Sequence, residues 1–311
     1  MIRLPARARI PDTVRWGVAL ALATSIISGV AIFVNGFAVR QLPDAAVYTT
    51  LKNGVAAILL LALATATVRP ETVRAVRPRD WGWLTIIGII GGSVPFVLFF
   101  TGLAQASAPS AAFIQKTLFI WVAILAVPFL GERLGALQLG ALGVLLAGQA
   151  LIIQPVGIAW GAGETMIAAA TLLWAVETIV ARRVLRRVPS PIVGAARLAI
   201  GLIVLVGYLA VSGRLPIVAA LGPEAWSWAL LTGLLLAGYV ATWFAALRRA
   251  PASAVTAILV LGAPITAALS AIQAGRVGIG PALGGQALVL FAAAAIALLA
   301  IRRPAAERAT S

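Results

Sequence analysis

From Trp81 the chain reads WGWLTIIGIIGGSVPFVLFFTGLAQASAPSAA, through Ala112, and from Trp226 it reads WSWALLTGLLLAGYVATWFAALRRAPASAV, through Val255. Trp81, Trp83 and Gly88 recur as Trp226, Trp228 and Gly233 at a spacing of 145 residues. Phe100, Leu103, Ala106 and Ala108 recur as Phe244, Leu247, Ala250 and Ala252 at 144. Chance seldom keeps such a register, so one unit has been duplicated. If that unit holds an odd number of membrane-crossing helices, its second copy runs upside down relative to the first, the arrangement of many alternating-access transporters.

The count of crossings therefore decides the architecture. Hydrophobic residues make up 62% of the 311, mean hydropathy is +1.05 and charged residues are 11%, which excludes an ordinary soluble protein. A helix needs about 20 apolar residues to cross the hydrocarbon core. Ten such runs are separated by Pro, Gly or Arg clusters: 16–37, 45–68, 83–104, 110–130, 136–153, 162–184, 191–211, 226–247, 253–274 and 282–301. The expected fold is an all-α membrane protein of ten transmembrane helices, two five-helix inverted-topology repeats spanning 1–155 and 156–311 in one integrated bundle.

The basic amino terminus, with Arg3, Arg7, Arg9 and Arg15, precedes an apolar run that contains Ala19-Leu20-Ala21 and so looks like a signal peptide. The run continues well beyond that point, and the reading is an uncleaved first helix. The formal charge of +15 has a topological explanation. With the amino terminus inside, 18 of the 24 Lys and Arg residues fall on the cytoplasmic side, Arg40, Arg214 and Arg276 fall outside, and Lys52, Lys116 and Arg197 stay within helices. The positive-inside rule then accounts for the charge without a nucleic-acid partner and puts both termini in the cytoplasm. Cysteine and histidine are absent, which removes disulfides, thiolate or imidazole metal sites and histidine-based relays or triads. No cofactor and no metal are expected. An intramembrane enzyme needs a nucleophile with a base or a metal cluster, and without histidine, cysteine or a carboxylate pair within one helix it is set aside. Two complete halves make a monomer sufficient.

The stretch APSAAFIQKTLFIWVAILAVPFLGERLGALQLGALGVLLAG, Ala108 to Gly148, resembles the fourth and fifth helices of the EamA-like repeat of the drug/metabolite transporter superfamily. Gly131-Glu132 with Gly140, Gly143 and Gly148 carry the match. The second copy, from Ala250, keeps the small residues, Pro264 and Arg276, but has Gly275 in place of the acidic residue. Lys52 and Arg197 take the family's basic position early in the second helix of each repeat, and Trp174-Ala175 its Trp-Ala pair. The first helix departs, with Ser28-Gly29 where Trp-Gly is common. The resemblance covers nearly the whole chain and implies a ten-helix exporter of metabolites or amino acids. Overall the chain is most similar to the YddG-type exporters of aromatic amino acids.

Ionisable groups within the bilayer are costly, so Lys52, Lys116, Glu177 and Arg197 are expected to face the bundle interior or water. Lys116 reads either as a counter-ion for a substrate carboxylate or as a lysine snorkelling to the interface. Lys52 and Arg197 read as symmetric structural pins. Glu177 reads as the partner of Arg197 or as a proton-coupling carboxylate. If helices three, four, six, eight and nine line a central cavity, as the resemblance implies, then Phe96, Phe99, Phe100, Trp121, Trp174, Tyr239 and Trp243 form an aromatic wall with Ser93, Gln115 and Thr242 as polar handles. The alternative for each is lipid contact or packing. Trp81, Trp83, Trp226 and Trp228 are expected as interfacial anchors. Gly92 and Pro95, Pro128, and Gly262 with Pro264 are expected hinges.

The leading expectation is a secondary transporter exporting a zwitterionic or anionic solute, most specifically an aromatic or large apolar amino acid, without a driving ion. The alternatives are proton-coupled efflux of hydrophobic drugs or metabolites, which needs Glu177 free, and a membrane scaffold that transports nothing. The expected location is a bacterial inner membrane, with lipid and a small-molecule substrate as partners.

Overall fold

The structure, a computed structural model, describes residues 12–42, 44–103, 105–106, 108–153, 160–275 and 281–302. Arg3, Arg7, Arg9, Pro43, Arg276, the side chain of Arg40 and the 155/156 boundary lie outside the described residues. Among the described residues ten helices are long and apolar enough to cross a membrane: α1 (Thr13–Ala38), α2 (Ala45–Thr67), α3 (Pro78–Leu103), α4 (Ser110–Leu130), α5 (Ala136–Ile153), α6 (Ala162–Val184), α7 (Ser190–Val211), α8 (Pro223–Arg249), α9 (Ala252–Gln273) and α10 (Ala282–Arg302).

Each repeat supplies five of them, and the helix packing carries the pseudo-twofold relation. α1 lies along α8 and α9 as α6 lies along α3 and α4; α2 packs on α8 as α7 packs on α3. α2 with α7, α4 with α9 and α5 with α10 are pairs of equivalents. Even the surface helices of the two longest loops correspond, Pro70–Arg74 and Leu215–Ala219. Five is odd, so the repeats run through the bilayer in opposite senses. Large side chains such as Ile58, Ile203, Val211 and Phe291 are exposed on the bundle's outer surface, as lipid contact requires. Trp81 and Trp226 are each about four-tenths exposed in the first turns of α3 and α8, at 41% and 42%.

Local chemistry sets the ends and breaks. Asp44 opens α2 by accepting from the backbone N–H of Ala46 and Val47, at 2.8 and 2.9 Å. Gly131, at φ +71°, closes α4 in the left-handed conformation. α3 is interrupted at Ser93, two residues before Pro95. Proline has no N–H to give the carbonyl of Gly91. The Trp174 indole supplies it from α6, at 3.2 Å, and the Ser93 hydroxyl turns back to the carbonyl of Ile89 at 3.0 Å. α9 is interrupted at Val260–Leu261 just before Pro264, where the Ala263 N–H takes up the Val260 carbonyl at 2.9 Å.

The break in α4 differs from expectation. The helix runs unbroken through Pro128 and is interrupted at Thr117 instead, the pseudo-symmetric counterpart of the α9 break. There the threonine hydroxyl donates to the Ile114 carbonyl at 2.6 Å and the Thr117 N–H to the same oxygen at 3.1 Å, tightening the turn into a three-residue pitch. Pro128 falls in the last turn before Gly131, where the helix is ending in any case.

Candidate functional site

The two faces of the bundle differ in charge. The arginine-rich face carries the turns α2–α3, α4–α5, α6–α7 and α8–α9; the arginine-poor face carries the others. A cavity of about 480 Å³ runs from Gly36, Leu103 and Ala112, near the arginine-poor ends of α1, α3 and α4, inward to Phe119, Thr178, Trp243 and Thr256. Beyond that floor Phe244, Leu247 and Val255 are fully buried, and they close the cavity toward the arginine-rich face.

One wall is aromatic and built by α3 and α6. Phe96 and Phe99 lie edge-on or tilted against Trp174, with ring centroids 5.4 and 5.8 Å away, and Phe99 meets Phe100 edge-on at 5.6 Å. On α8, Tyr239 and Trp243 stack nearly parallel at 6.0 Å. All six rings line the cavity, so it offers flat apolar surface on two sides. Gln115 and Lys116, at the end of the first segment of α4, line it as well.

Three of the expected cavity residues point elsewhere. Ser93 is fully buried, with its hydroxyl closed onto the carbonyls of Gly88 and Ile89. Thr242 donates to Gly238 and accepts from Thr24 on α1 at 2.8 Å, which ties it into the α1–α8 seam. Trp121 is 39% exposed on the bundle surface, its indole donating one turn back to Thr117. In each case the side chain meets a helix-local or interhelical partner on a face that the cavity does not touch.

The charged groups form two separate arrangements. Glu177 and Arg197 pair at 3.1 Å, nearly inaccessible, with side chains 3% and 8% exposed. Their approach depends on Gly91-Gly92: a Cβ on Gly91 would stand 2.5 Å from the Glu177 side chain, and one on Gly92 would stand 2.2 Å from the Arg197 carbonyl. Lys52 donates to Asn35 Oδ1 at 3.2 Å, and the Tyr48 hydroxyl donates to the same oxygen at 2.5 Å. The Lys52 ammonium also lies over the rings of Tyr48 and Phe100, at 5.2 and 6.0 Å. Among the described residues no carboxylate lies within ion-pair reach of Lys52 or Lys116, and Glu177 is the only acidic residue on the cavity wall. The wall therefore presents two uncompensated ammonium groups and one neutralised pair. No cluster of potential metal ligands occurs among the described residues.

Asn35 and Tyr48 are cavity residues that sequence reasoning missed. The available signal was weak: Asn35 is the one amide inside the first apolar run, and Tyr48 lies one turn before Lys52. Ser28, Thr232 and Thr256 also line the cavity and give no signal of their own.

Comparison with known proteins adds family and fold. The model of the EamA-like transporter family matches residues 15–154 and again 161–301. A solved crystal structure superposes with a TM-score of 0.73 at 19% identity, over 94% of this chain and 98% of its own. Among the curated proteins nothing matches.

Proposed function

The chain belongs to the EamA-like transporter family and thus moves small solutes across a membrane, and from that premise we propose that it exports amino acids with aromatic or large apolar side chains. One observation carries the reading: Lys52 and Lys116, without acidic partners among the described residues, face a cavity of about 480 Å³ whose other walls are aromatic rings. A solute carboxylate would pair with an ammonium group, and an apolar side chain would lie against Phe96, Trp174 and Tyr239. A quaternary cation would meet two positive charges and no free carboxylate on the same wall.

Glu177 is already neutralised by Arg197 at 3.1 Å, which leaves the described cavity wall without a free carboxylate to carry a proton. Transport is then facilitated. It proceeds by alternating access, the α3 and α9 breaks at Gly92–Pro95 and Gly262–Pro264 letting the repeats rock about a fixed site. The setting in this reading is a bacterial plasma membrane; the arginine distribution supports a cytoplasmic arginine-rich face, and in this frame the cavity faces outward. Each chain carries both halves of the site and works as a monomer.

Counterflow tests this. Proteoliposomes loaded with unlabelled amino acid are given labelled phenylalanine, tryptophan, threonine or alanine with no ion gradient. Accumulation of the aromatic species is the expected result. Intact vesicles that accumulate none of them would overturn the amino-acid reading and transfer the search to proton-driven efflux through Glu177.

A further inference from the structure

A second cavity, of about 300 Å³, opens beside the first on the arginine-poor face between α2, α3 and α7. Phe96 and Phe100 line both and form the partition. The chemistry of the two spaces differs. The central cavity holds two lysines and the already paired Glu177 and Arg197, whereas the side cavity holds one acid and one base: Asp44 Oδ2 and Arg214 Nε stand 3.5 Å apart, a loose pair. Asp44 Oδ1 is spent on the start of α2, which leaves Oδ2, held only by the loose contact with Arg214, as its remaining acceptor. Arg214 donates from Nη1 to the Tyr208 hydroxyl at 3.1 Å and lies over that ring at 5.4 Å, and its Nη2 makes no hydrogen bond among the described residues. Thr49, also on the wall and 1% exposed, has a hydroxyl oxygen with no partner among the described residues.

Resting on the amino-acid reading above, we infer that this side cavity is a second, vestibular site that takes the substrate as a zwitterion, ammonium on Asp44 Oδ2 and carboxylate on Arg214 Nη2, with the side chain against Phe96 and Phe100. A plain anion would be repelled by Asp44 and a plain cation by Arg214. An α-amino acid carries both charges at the spacing of an adjacent acid and base. The pseudo-symmetric positions on the arginine-rich face hold Pro189 and Arg69, a base without an acid, so the vestibule belongs to one face only. Its shared phenylalanine wall makes it a staging point on the path between the central cavity and the arginine-poor side.

Binding stoichiometry tests the inference, with labelled phenylalanine as the probe and purified full-length protein in detergent. Wild type is expected to take up two molecules per chain. Thr101→Trp, at an exposed position that lines only the side cavity, is expected to fill it and leave one. Arg214→Gln gives the same expected count through lost charge, should the tryptophan disturb folding. Lys116→Met, which alters only the central cavity, is expected to leave the vestibular molecule bound. One molecule per chain in wild type, unaltered by Thr101→Trp and by Arg214→Gln, would overturn the vestibule while keeping the amino-acid reading. No phenylalanine bound at all would overturn both.

Discussion

Gly233 on α8 lies so close to Val55 on α2 that a Cβ on the glycine would stand 2.6 Å from the valine side chain. The same contact exists in the other repeat, where a Cβ on Gly88 of α3 would stand 2.6 Å from Ile200 of α7. Val55 and Ile200 are themselves equivalents, 145 residues apart. The glycine that marks the duplication in the sequence is thus the notch into which the second helix of the opposite repeat fits. Within lipid, where apolar surface gains little by leaving one neighbour for another, such close backbone approach is a main source of helix association.

Substituting alanine at Gly88 or Gly233 should therefore force α3 from α7, or α8 from α2. Overpacking of this kind costs about 1–3 kcal/mol. Thermal unfolding in detergent should show a lowered midpoint for both variants. Gly207→Ala, on α7 with open space around the added carbon, should leave it close to wild type. Equal midpoints for all three would show that the notches carry no packing strain.

How much of this could be read in the chain depends on whether the signal was a spacing or a face. The glycine notches and the breaks near Pro95 and Pro264 follow from residue type and register, and both are printed in the sequence. The break at Thr117 depends on a hydroxyl choosing its own carbonyl, which no proline or glycine announces. The sequence does not choose between cavity and packing for Trp121 and Thr242, because helices with lipid on one side and core on the other are apolar all round, and periodicity cannot then say which side is inward. The Asn35–Tyr48–Lys52 cluster joins residues across the α1–α2 turn, and a lone asparagine in an apolar run does not reveal that two donors converge on it.

Lys116 and Lys52 should separate by what holds them. Lys116→Met removes an ammonium group that has no acidic partner among the described residues, so folding should survive and, if it is the proposed counter-ion, substrate affinity should fall. A charge-assisted hydrogen bond is worth about 1.5–3 kcal/mol, or roughly 10- to 150-fold in half-saturating concentration. Lys52→Met should lose affinity and also loosen Asn35 and Tyr48. The check is the concentration dependence of phenylalanine counterflow alongside the thermal midpoint. An unchanged affinity in Lys116→Met would make that residue a bystander on the wall.

Glu177 and Arg197 should behave as a unit. Removing one partner of a buried ion pair leaves the other uncompensated, at about 3–5 kcal/mol. Glu177→Gln and Arg197→Met alone should each lower expression and the thermal midpoint strongly, and combining them should recover much of the loss. Counterflow measured on the double variant then decides the coupling. Retained exchange makes the pair structural. Exchange lost despite a native midpoint, with proton-driven uptake lost as well, would put Glu177 in the transport cycle.

Glu132 provides the last expectation, and it concerns the closed face. From the α4–α5 turn its carboxylate accepts from the backbone N–H of Ala252 at 2.6 Å and of Ser253 at 3.2 Å, and from the Ser253 hydroxyl. It caps the start of α9 from the other repeat, where the helix dipole favours a negative charge. In the 144-residue register Gly131 and Gly275 correspond, both left-handed at φ +71° and +61°, so Glu132 corresponds to Arg276, a base outside the described residues. Where the closed face has this carboxylate, the open face has an arginine in the sequence. A state open on the arginine-rich face must part α9 from the α4–α5 turn, so Glu132→Gln, which keeps the shape and removes the charge, should shift the population toward opening on that face by about 10-fold or more. The chain has no cysteine, so a single Leu259→Cys on the cavity wall gives a clean reporter. Added membrane-impermeant maleimide should label it faster from the arginine-rich side and more slowly from the other once Glu132 is replaced. Equal rates on both sides, with and without the replacement, would reduce the carboxylate to a helix cap that does not bias the cycle.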